Sequence, residues 1–579
     1  MAELKDVVSS EHDENVQSID ISDVGPNLKK LDTVDPEISY HVTSKTYLVL
    51  LVMGLAWSTC TLGNIGPSTT YTYCVTELGG KTKESWIPNA GLFPLIGLQP
   101  IWGSLADRFG KKWFIVAGGL FGIVGNVVAG TAKNIETVIG GQALNGIGSS
   151  LLLLVIPASM EIVTAETRAY AQGCTGLFNG VMAIVGLLTA GAFAKISISG
   201  WRWVYYFDAI FYGVSALLVM IVYNPPPTLL RCENSIDSQI RSVDYFGILL
   251  LLCGVVGIIT SLTWGGNAYP WTSAQVLAML ILGGFLLMGF GLYEAYGRAD
   301  GLIDHRFLES RNLLVILSVA FVDGMLLYGV NAFFPVEASA IFTGDPVKVN
   351  AYLLPLNILV LLGITASSMI LGKTKHYRIT LATSVFLIAL FLGLLALVTP
   401  SRVAMTLVFT GFIGFGVGVT TVIPVVIMSY SVPPYIIGTA GTILASTRAL
   451  GGTVGITIFS SIYANQMSKN LPTGVAKAVV TAGLPTASVS QFLGALLNSV
   501  GEVTAVPGVS PEIIGTAVIA IKNISAQSFR YVWITNMVIG LVTTFLCLFL
   551  QPVRDKMTVH IESALEDGKF RKKQLQHDF

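Results

Sequence analysis

Long runs of apolar residues dominate the chain after residue 45, and short polar turns separate them. Each run is about 20 residues long, which as an α-helix matches the thickness of about 30 Å of a bilayer's hydrocarbon core. Because a chain in hydrocarbon must satisfy its backbone hydrogen bonds internally, the pattern predicts an all-α membrane protein. We expect fourteen spanning helices, so that both ends of the chain lie on the same side. The predicted spans are residues 46–66, 85–103, 113–131, 135–157, 172–194, 203–223, 244–264, 273–296, 312–334, 350–371, 379–398, 403–428, 438–463 and 530–551.

The placement of lysine and arginine indicates which side of the membrane each end faces. With both ends in the cytosol, the inward segments hold twenty-two of the 34 lysines and arginines, and the outward segments hold eleven. This bias follows the positive-inside rule. Residues 1–45 lack the apolar stretch of a signal peptide, and their acid excess predicts a disordered cytosolic tail. Residues 552–579 are expected to form a second cytosolic tail.

The composition agrees with a membrane protein and excludes several other classes. Hydrophobic residues make up 53% of the chain and charged residues only 12%, with a mean hydropathy of +0.69. The formal net charge of zero leaves no basic excess for binding nucleic acid. The six cysteines lack CxxC spacing, and the sequence has no HExxH or GxSxG motif and no histidine cluster. We therefore expect no enzyme, no metal site and no bound cofactor.

A charged turn stands between the second and third apolar runs. Residues 103–112 read Gly-Ser-Leu-Ala-Asp-Arg-Phe-Gly-Lys-Lys, and so many charges cannot lie in hydrocarbon. The spelling resembles the loop that joins the second and third helices of major facilitator superfamily transporters. The residues that fall in the family's register are Gly103, Asp107, Arg108, Gly110 and Lys111.

This resemblance implies a fold of two six-helix bundles with the transport path between them. Fourteen spans correspond to that fold with an extra helix pair inserted between the bundles, in a 6+2+6 order. A short amphipathic helix is expected near residues 491–500. The expected organisation is a tail at 1–45, an N-terminal bundle at 46–223, the inserted pair with its linkers at 224–311, a C-terminal bundle at 312–551 with a long outer loop at 464–529, and a tail at 552–579.

Three further motifs narrow the resemblance. Residues 139–148 resemble the family's R-x-x-Q-G-x-G helix, with Gln142 at the arginine position and Asn145 at the glutamine position. Residues 186–191 resemble a degraded G-P-x-x-G-G antiporter signature, and residues 200–203 match the G-W-R-W opening of the sixth helix. The chain as a whole resembles fungal trichothecene efflux pumps, with fungal siderophore transporters as the nearest alternative. Both groups are proton-coupled carriers, but the first exports and the second imports.

Two ionisable residues lie deep within predicted spans. Asp323 is about eleven residues into the ninth span and Arg448 about ten into the thirteenth, which places each roughly 15 Å from the cytosolic end. A charge at that depth costs about 2.5–3.5 kcal/mol, so each should face protein or a wet cavity. We expect Asp323 to take and release the coupling proton, with Arg448 or substrate holding it ionised. The alternative is a static ion pair that fixes helix packing.

Polar residues on the fourth span indicate where substrate binds. Gln142, Asn145 and Ser149 recur at i, i+3 and i+7, so they form one polar stripe on an apolar helix. We expect this stripe to line the cavity, and the alternative is hydrogen bonding between helices. A broad apolar pocket with few polar anchors suits a small amphipathic organic substrate. The further candidates for this pocket are Trp57, Gln99, Tyr328, Asn331 and Asn357.

The resemblance also implies a gating role for the charged turn. Asp107, at the end of the second helix, is expected to meet the N-terminus of a neighbouring helix and Arg108 while the cytosolic side is closed. Glu161 and Arg168 in the next cytosolic loop are expected to join this network, and the alternative is a basic loop that only sets topology. Gly103 and Gly110 permit close backbone approach and positive φ. The gating residues are thus Gly103, Asp107, Arg108, Gly110, Lys111, Glu161 and Arg168.

The remaining acids and one sequon carry weaker expectations. Asp208 lies near the outer end of the sixth span, where we expect an interfacial pair with Arg202. Glu294 and Glu337 fall at span ends, where water is expected to reach them. Asn523 begins the glycosylation sequon Asn-Ile-Ser, and its closeness to the last span argues against glycosylation.

The sequence therefore predicts a proton-coupled exporter of a fungal secondary metabolite, toxin or xenobiotic, working by alternating access. Its expected partners are protons, the lipid bilayer and a small amphipathic substrate, and a monomer in the plasma membrane is expected. Vacuolar or vesicle membranes are the alternative location. A ferric-siderophore importer and a non-transporting nutrient sensor are the alternative functions.

Overall fold

The computed structural model describes residues 44–80, 83, 86–225, 241, 243–266, 269–297, 301–302, 307, 310–343, 345–433, 436–498, 506–551 and 553. The predicted tails at residues 1–45 and 552–579 lie outside this part of the chain, apart from residues 44, 45 and 553. All regular elements in the described part are helices, and an isolated β-bridge joins Gly265 to Tyr269. The prediction of an all-α protein is confirmed.

Fourteen long helices, which we label α1 to α14, correspond one to one with the predicted spans. Thirteen helical segments of the described chain are long and apolar enough to cross a membrane, and α2, with its charged end, completes the set. The long helices are α1 Ser44–Leu78, α2 Leu92–Phe109, α3 Lys111–Gly130, α4 Ile135–Leu152, α5 Arg168–Ile196, α6 Trp201–Val222, α7 Tyr245–Trp264, α8 Ala274–Tyr296, α9 Arg311–Ile341, α10 Leu354–Thr374, α11 Tyr377–Leu395, α12 Val403–Ser431, α13 Ile437–Thr481 and α14 Pro511–Cys547. Short α-helices lie at Trp86–Asn89, Val155–Glu161, Pro346–Tyr352 and Val489–Asn498, and 3-10 turns at Ala165–Thr167, Ile198–Gly200 and Thr486–Ser488.

The second helix lies further along the chain than predicted. The span expected at residues 85–103 is instead a short helix, Trp86–Asn89, followed by α2 at Leu92–Phe109. The helix continues through Asp107 and ends at Gly110, whose φ of 94° suits glycine alone among the common residues. Of the charged residues that the sequence placed in a turn, Asp107 and Arg108 therefore lie on the last turn of α2, and Lys111 and Lys112 begin α3.

The outer segment predicted as a loop at residues 464–529 is mostly helical. The helix α13 continues to Thr481, the short helix Val489–Asn498 matches the predicted amphipathic one, and α14 begins at Pro511. These parts, residues 464–498 and 506–529, form what we call the outer cap. Its apolar side chains pack against one another and form a small core, so they are removed from water without contact with lipid. The buried set is Val475, Val479, Leu484, Phe492, Ala495, Val506, Ile513, Ala517 and Ile524.

The long helices pack in two groups. In the first, which we call the N-terminal bundle, α1 packs on α5 and α6, and α3 packs on α4 and α6. In the second, the C-terminal bundle, α9 packs on α13, α10 on α12, and α11 on α12 and α14. The helices α7 and α8 pack on each other, and α7 also contacts α2 and α13. The main contacts between the bundles are α2 with α13 and α5 with α10.

Prolines inside α1 and α2 free backbone carbonyls that other helices use. Proline has no N–H, so Pro67 and Pro100 leave the carbonyl four residues earlier without its helical donor. The Asn145 side chain of α4 donates to the carbonyl of Gly63 at 3.0 Å. The Ser446 hydroxyl of α13 donates to the carbonyl of Ile96 at 2.5 Å, which joins the two bundles in the first half of α2.

The core of the outer cap makes a stability prediction. Phe492 is fully buried there, and its replacement by alanine should destabilise the cap by about 3–5 kcal/mol, because the large side chain leaves a cavity. We expect backbone amides of residues 475–495 to exchange with deuterium faster in Phe492→Ala than in the parent protein, with α9 to α12 unchanged. Val518→Ala, at an exposed position of the same cap, is the matched control. Equal protection in both variants would contradict an independently packed cap.

Candidate functional site

Asp107 joins the ends of the two bundles on the side that the lysine and arginine bias assigns to the cytosol. Its carboxylate accepts hydrogen bonds from the backbone N–H groups of Gly438, at 3.1 Å, and Thr439, at 2.7 Å. The Thr439 hydroxyl donates to it as well, at 2.8 Å. These N–H groups belong to the first turn of α13, where they have no partner within the helix and the helix dipole favours an anion. One side chain of α2 thus caps a helix of the other bundle.

Lys111 lies buried between two carboxylates. Its Nζ atom is 2.7 Å from Oδ1 of Asp107 and 2.6 Å from Oε1 of Glu161, and only 5% of its side chain is exposed. Losing one member of such a buried group costs about 3–5 kcal/mol, because the others remain buried without compensation. These contacts give Lys111 a structural role at the interface, in addition to the role in setting topology that a basic loop would have.

Glycines on both helices allow α2 and α13 to approach closely. A Cβ atom on Gly103 would lie 2.0 Å from the Thr442 hydroxyl and 2.9 Å from the Gly438 carbonyl. A Cβ atom on Gly438 would lie 2.1 Å from Oδ1 of Asp107. The bond between Asp107 and α13 therefore depends on a glycine in each helix.

A second group of contacts joins the bundles on the same side, where α5 meets α10 and α12. Arg168 is buried and donates to the carbonyls of Met160, at 3.2 Å, and Ser429, at 2.9 Å. Lys375 lies 2.9 Å from the carboxylate of Glu166. Since Ser429 and Lys375 belong to the C-terminal bundle, both contacts cross the interface.

The close contact between α5 and α10 continues to about the middle of the membrane. A Cβ atom on Gly173 would lie 2.2 Å from the Ser368 hydroxyl, and one on Gly180 would lie 2.4 Å from Leu361. Further out, a Cβ atom on Gly191 would meet nothing within 4 Å. Gly173 and Gly180 thus permit the close approach of α5 to α10 in the cytosolic half of the interface.

Exposed polar side chains follow the outer halves of α1 and α9. On α1, Ser68, Thr72 and Thr76 are exposed at intervals of four residues, and on α9 Asn331 and Ser339 are exposed at an interval of eight. Residues at these intervals share one face of a helix. Faces that contact lipid are apolar, so we assign both polar faces to a water-filled path on the outer side. We interpret the described state as closed toward the cytosol and accessible from outside.

Asp323 and Arg448 form an ion pair in the middle of the C-terminal bundle. Oδ2 of Asp323 is 2.7 Å from Nη2 of Arg448, and Oδ1 accepts a hydrogen bond of 2.5 Å from the Thr420 hydroxyl. The same Nη2 atom donates to the Thr421 hydroxyl at 3.3 Å. The Asp323 side chain is 2% exposed and that of Arg448 is 23% exposed. Water can therefore reach the cation more easily than the acid.

Glycines bring α9 and α13 together around this ion pair. A Cβ atom on Gly324 would lie 1.9 Å from the Arg448 carbonyl, and one on Gly451 would lie 1.9 Å from the Phe321 carbonyl. One turn outward, Gly455 faces the backbone of Met325. The two helices thus touch backbone to backbone, which holds the acid and the base at the same depth.

The polar stripe on α4 does not face open space in this state. Asn145 is buried, donates to Gly63 of α1 and accepts from Asn126 of α3 at 3.2 Å. Ser149 is buried and lies 2.7 Å from the Tyr212 hydroxyl of α6. These bonds hold the helices of the N-terminal bundle together, so the expectation that Asn145 and Ser149 line the cavity is not met. Sequence alone fixes which residues share a helix face but not which neighbour that face meets.

The other predicted cavity residues have different surroundings. Gln99 is fully buried on α2, and neither its amide nitrogen nor its amide oxygen has a hydrogen-bond partner in the described chain. Tyr328 is half-buried against Gly452, and Trp57 is buried near Gly176 of α5. The remaining three are Gln142, buried with an unpartnered amide nitrogen, Asn331, exposed, and Asn357, half-buried with its amide donating to Leu353.

The expected pair between Asp208 and Arg202 is wrong. Arg202 instead lies 3.1 Å from the carboxylate of Glu77 on α1, and it donates to the carbonyl of Gly130 at the end of α3 and to that of Ala132 just after it. The expectation for the two glutamates is also wrong, because both are buried. Glu337 accepts a hydrogen bond of 3.1 Å from the indole N–H of Trp533 on α14. Burial here follows from tertiary packing, since α9 extends beyond its predicted end to Ile341.

Several residues of the site escaped the sequence analysis. The backbone N–H groups of Gly438 and Thr439 donate to Asp107. The Thr420 hydroxyl donates to Oδ1 of Asp323, and the Ser446 hydroxyl donates to a carbonyl of α2. The only sequence signal was the glycine and threonine content of the stretch that opens α13. The predicted sequon residue Asn523 lies on α14 within the outer cap. The described residues contain no cluster of three or more His, Cys, Asp or Glu that could hold a metal ion.

The glycine at residue 438 provides a test of the cytosolic closure. Gly438→Ala should open this side, because overpacking costs about 1–3 kcal/mol and shifts the equilibrium about tenfold for each 1.4 kcal/mol. In a cysteine-free background carrying the reporter Thr442→Cys, we expect faster labelling by an impermeant maleimide from the cytosolic side.

The matched control is Gly191→Ala, where the added Cβ meets nothing within 4 Å. It should leave the labelling rate of the buried reporter unchanged. If Gly438→Ala behaves like this control, the contact between Asp107 and α13 does not determine closure.

Comparison with known proteins places the chain in a family. The family model of the fungal trichothecene efflux pump (TRI12) matches residues 97–578. The Acurin A biosynthesis cluster MFS-type transporter of Aspergillus aculeatus is 27% identical over 535 residues, which cover 90% of this chain and 92% of that protein. Efflux pump FUS6 of Gibberella moniliformis is 25% identical over 564 residues, covering 95% and 96%.

A solved structure shows the same fold. The proton:xylose symporter XylE of the major facilitator superfamily superposes with a TM-score of 0.57 at 14% identity, over 90% of this chain and 98% of that one. Fold, family match and relatives agree on a multi-pass membrane protein that transports rather than catalyses. The chain therefore belongs to the fungal trichothecene efflux pump family and is an efflux transporter of the major facilitator superfamily.

Proposed function

We propose that the protein exports small amphipathic fungal metabolites across the plasma membrane in exchange for protons, as a monomer. The observation that carries this proposal is the ion pair between Asp323 and Arg448, each about three helical turns from the cytosolic end of its helix in the C-terminal bundle. A carboxylate there can change charge without leaving the barrier. Family membership supports export, and the relatives' names support a secondary metabolite as cargo.

The proton would act by releasing Arg448. When Asp323 is ionised, its Oδ2 atom has the Arg448 cation at 2.7 Å, and its Oδ1 atom accepts the hydrogen bond from Thr420. A proton on Oδ2 would remove the attraction to the guanidinium, which already has partial access to water. Because α9 and α13 touch through Gly324 and Gly451, a change in this pair directly affects the packing of the two helices.

Alternating access would come from rocking of one bundle against the other. In the described state the contacts of Asp107, Arg168 and Lys375 close the cytosolic side. All three must break before substrate enters from the cytosol. Each proton that moves inward through 100 mV supplies about 2.3 kcal/mol, before any pH difference is added. A few such contacts can be broken at that cost, since each is worth about 0.5–3 kcal/mol.

Gln99 would provide a polar anchor in an otherwise apolar path. It lies on α2, the helix that packs against α13 at the bundle interface, and both of its amide atoms lack a partner in the described chain. An unsatisfied buried amide costs about 1–3 kcal/mol, which a ligand with a carbonyl or hydroxyl group would recover. Half-buried Tyr328 on α9 offers an aromatic surface in the other bundle. Such a pocket fits a neutral ring compound with oxygen substituents.

Replacement of Asp323 tests the proton-coupling role. In inside-out vesicles with an acidic interior, the parent protein should accumulate a radiolabelled trichothecene. Asp323→Asn should lose this gradient-driven accumulation but keep exchange of labelled for unlabelled compound, because the amide can no longer carry the proton. The matched control is Asp345→Asn, an exposed helix cap that asparagine also fills, and it should behave like the parent.

Two results would count against the proposal in different ways. Accumulation by Asp323→Asn equal to that of the parent would remove Asp323 from the coupling. An importer would not accumulate the compound in inside-out vesicles with an acidic interior. Absence of accumulation by the parent protein would therefore exclude proton-coupled export of this compound.

The two buried amides of the N-terminal bundle should respond differently to replacement by leucine. Gln99→Leu should keep or raise the melting temperature, since its amide atoms lose no bond, while raising the KM for oxygen-bearing substrates. Asn145→Leu, the matched comparison, should lower the melting temperature because it leaves the carbonyl of Gly63 without a donor. An unchanged KM in Gln99→Leu would remove Gln99 from the binding site.

A further inference from the structure

A second buried acid lies outside the site described above. Asp208, in the outer half of α6, is 1% exposed, and its Oδ2 atom has no hydrogen-bond partner in the described chain. No cation of the described residues pairs with it, since Arg202, one turn and a half away, is engaged by Glu77. The oxygen points at α1, where it lies 3.5 Å from the position of a Cβ atom on Gly66.

The polar groups that face the neighbouring turn of α1 are neutral. Asn145 and the Tyr212 hydroxyl both lie at 3.0 Å from the position of a Cβ atom on Gly63, one turn of α1 from Gly66. Tyr212 is bonded to Ser149, and Gln142 keeps an unpartnered amide nitrogen. The ionisable side chains on α6 and on the helices packed against it are Tyr205, Tyr206, Tyr212 and Arg202 on α6, Cys60, Cys74, Tyr71, Tyr73, Glu77, Lys45 and Tyr47 on α1, Lys111 and Lys112 on α3, and Arg168, Tyr170, Cys174 and Lys195 on α5.

A lone carboxylate in such a place is expensive. Removing an unpaired charge from water into a protein interior costs several kcal/mol, and a buried group of this kind keeps its proton instead. Asp323 avoids this cost through Arg448, whereas Asp208 has no equivalent cation. In the described state the carboxyl of Asp208 is therefore expected to be neutral.

The C-terminal bundle contains the same position with a neutral residue. Residues 200–208 read Gly-Trp-Arg-Trp-Val-Tyr-Tyr-Phe-Asp, and residues 528–536 read Ser-Phe-Arg-Tyr-Val-Trp-Ile-Thr-Asn. The arginines and the valines coincide, aromatic residues coincide at three positions, and Asp208 falls on Asn536. Each segment belongs to the last helix of its bundle.

The structural surroundings of Asp208 and Asn536 also correspond. Asn536 is fully buried on α14, and its Oδ1 atom has no partner in the described chain. This atom lies 3.5 Å from the position of a Cβ atom on Gly329, a glycine of α9, the first helix of its bundle. The packing at this position thus accepts a neutral amide in the C-terminal bundle, so the packing alone does not require the carboxyl group of Asp208.

We propose that Asp208 is a second proton-binding side chain, so that each bundle contains one buried acid. In the state closed toward the cytosol, Asp208 holds a proton. When α1 and α6 separate enough to admit water, the O–H bond breaks, the proton passes to water and a hydrated carboxylate remains. The exposed polar face of α1, where Ser68 and Thr72 lie two and six residues beyond Gly66, gives water a path on the outer side. Use of this proton in transport rests on the function proposed above, but its binding does not.

The pH dependence of stability tests proton binding on the purified full-length chain in detergent. A carboxyl that is protonated in the folded state and ionised in the unfolded chain makes the protein less stable as pH rises. Asp208→Asn removes this effect, so its melting temperature minus that of the parent should increase from pH 5 to pH 9. The reciprocal variant Asn536→Asp should lose stability over the same range. A difference for Asp208→Asn that does not change with pH would overturn the proposal.

Infrared spectroscopy provides a direct second measurement. At neutral pH the parent protein should show the carbonyl stretch of a protonated carboxyl that Asp208→Asn lacks. Asp323→Asn should keep this band, because the band belongs to Asp208, and the Asp323 carboxylate lies instead 2.7 Å from the Arg448 guanidinium. An unchanged band in Asp208→Asn means that another group carries the proton, and this would overturn the proposal even if the variant folds normally.

The number of protons moved for each substrate molecule tests whether transport uses the proton on Asp208. In vesicles that contain a pH indicator and take up a radiolabelled trichothecene, Asp208→Asn should lower the number of protons moved for each molecule transported. An unchanged ratio would overturn the transport role of Asp208. If the parent protein moves no trichothecene, the proposed function fails for that compound, while the melting and infrared results still decide whether Asp208 binds a proton.

Discussion

The low dielectric of the membrane interior is the constraint on which the rest of this structure depends. Every charge that enters it must find a partner within the protein, and the chain meets this requirement in different ways. Asp323 has a cation at 2.7 Å, and Asp107 has a buried lysine and the first turn of another helix. Asp208 has neither, so neutralisation by a proton is the remaining solution. The same rule that makes charges rare in the spans makes the few that occur there sensitive to any rearrangement of the helices.

Backbone polar groups in the membrane interior also need partners within the protein, and one such partner links the two bundles. Each proline within a span leaves one carbonyl without a donor, and in hydrocarbon that carbonyl must be satisfied by another group. Within the N-terminal bundle Asn145 supplies the donor for Gly63, whereas across the interface Ser446 supplies the donor for Ile96. The second bond therefore exists only while α2 and α13 are in contact. Glycines at positions 103 and 438 permit that contact, so local chain chemistry and the state of the interface are directly connected.

Depth in the membrane could be predicted from the sequence, but the direction in which a helix faces could not. Counting residues along two spans placed Asp323 and Arg448 at the same level, because the helical rise is constant. The same counting paired Asp208 with Arg202, whose guanidinium instead contacts Glu77 on another helix. The stripe through Asn145 and Ser149 was recognised as one face, yet the helix is rotated toward α1, α3 and α6 rather than toward the path. The outer cap was missed for a related reason, since its small core becomes visible only when distant segments are brought together.

The chemistry of the interface limits how strongly the closed state can be held. The contacts that close the cytosolic side are hydrogen bonds to backbone groups and one half-exposed ion pair between Lys375 and Glu166, each worth only a few kcal/mol at most. A large interlocking apolar surface in their place would cost far more to open than the membrane potential supplies for one or two protons, at about 2.3 kcal/mol per charge and 100 mV. Polar contacts on glycine-rich helix faces are instead strong enough to define a state and weak enough to break. The sequence concentrates them where α2 meets α13 and α5 meets α10, and those are the contacts that any exchange of access must disrupt.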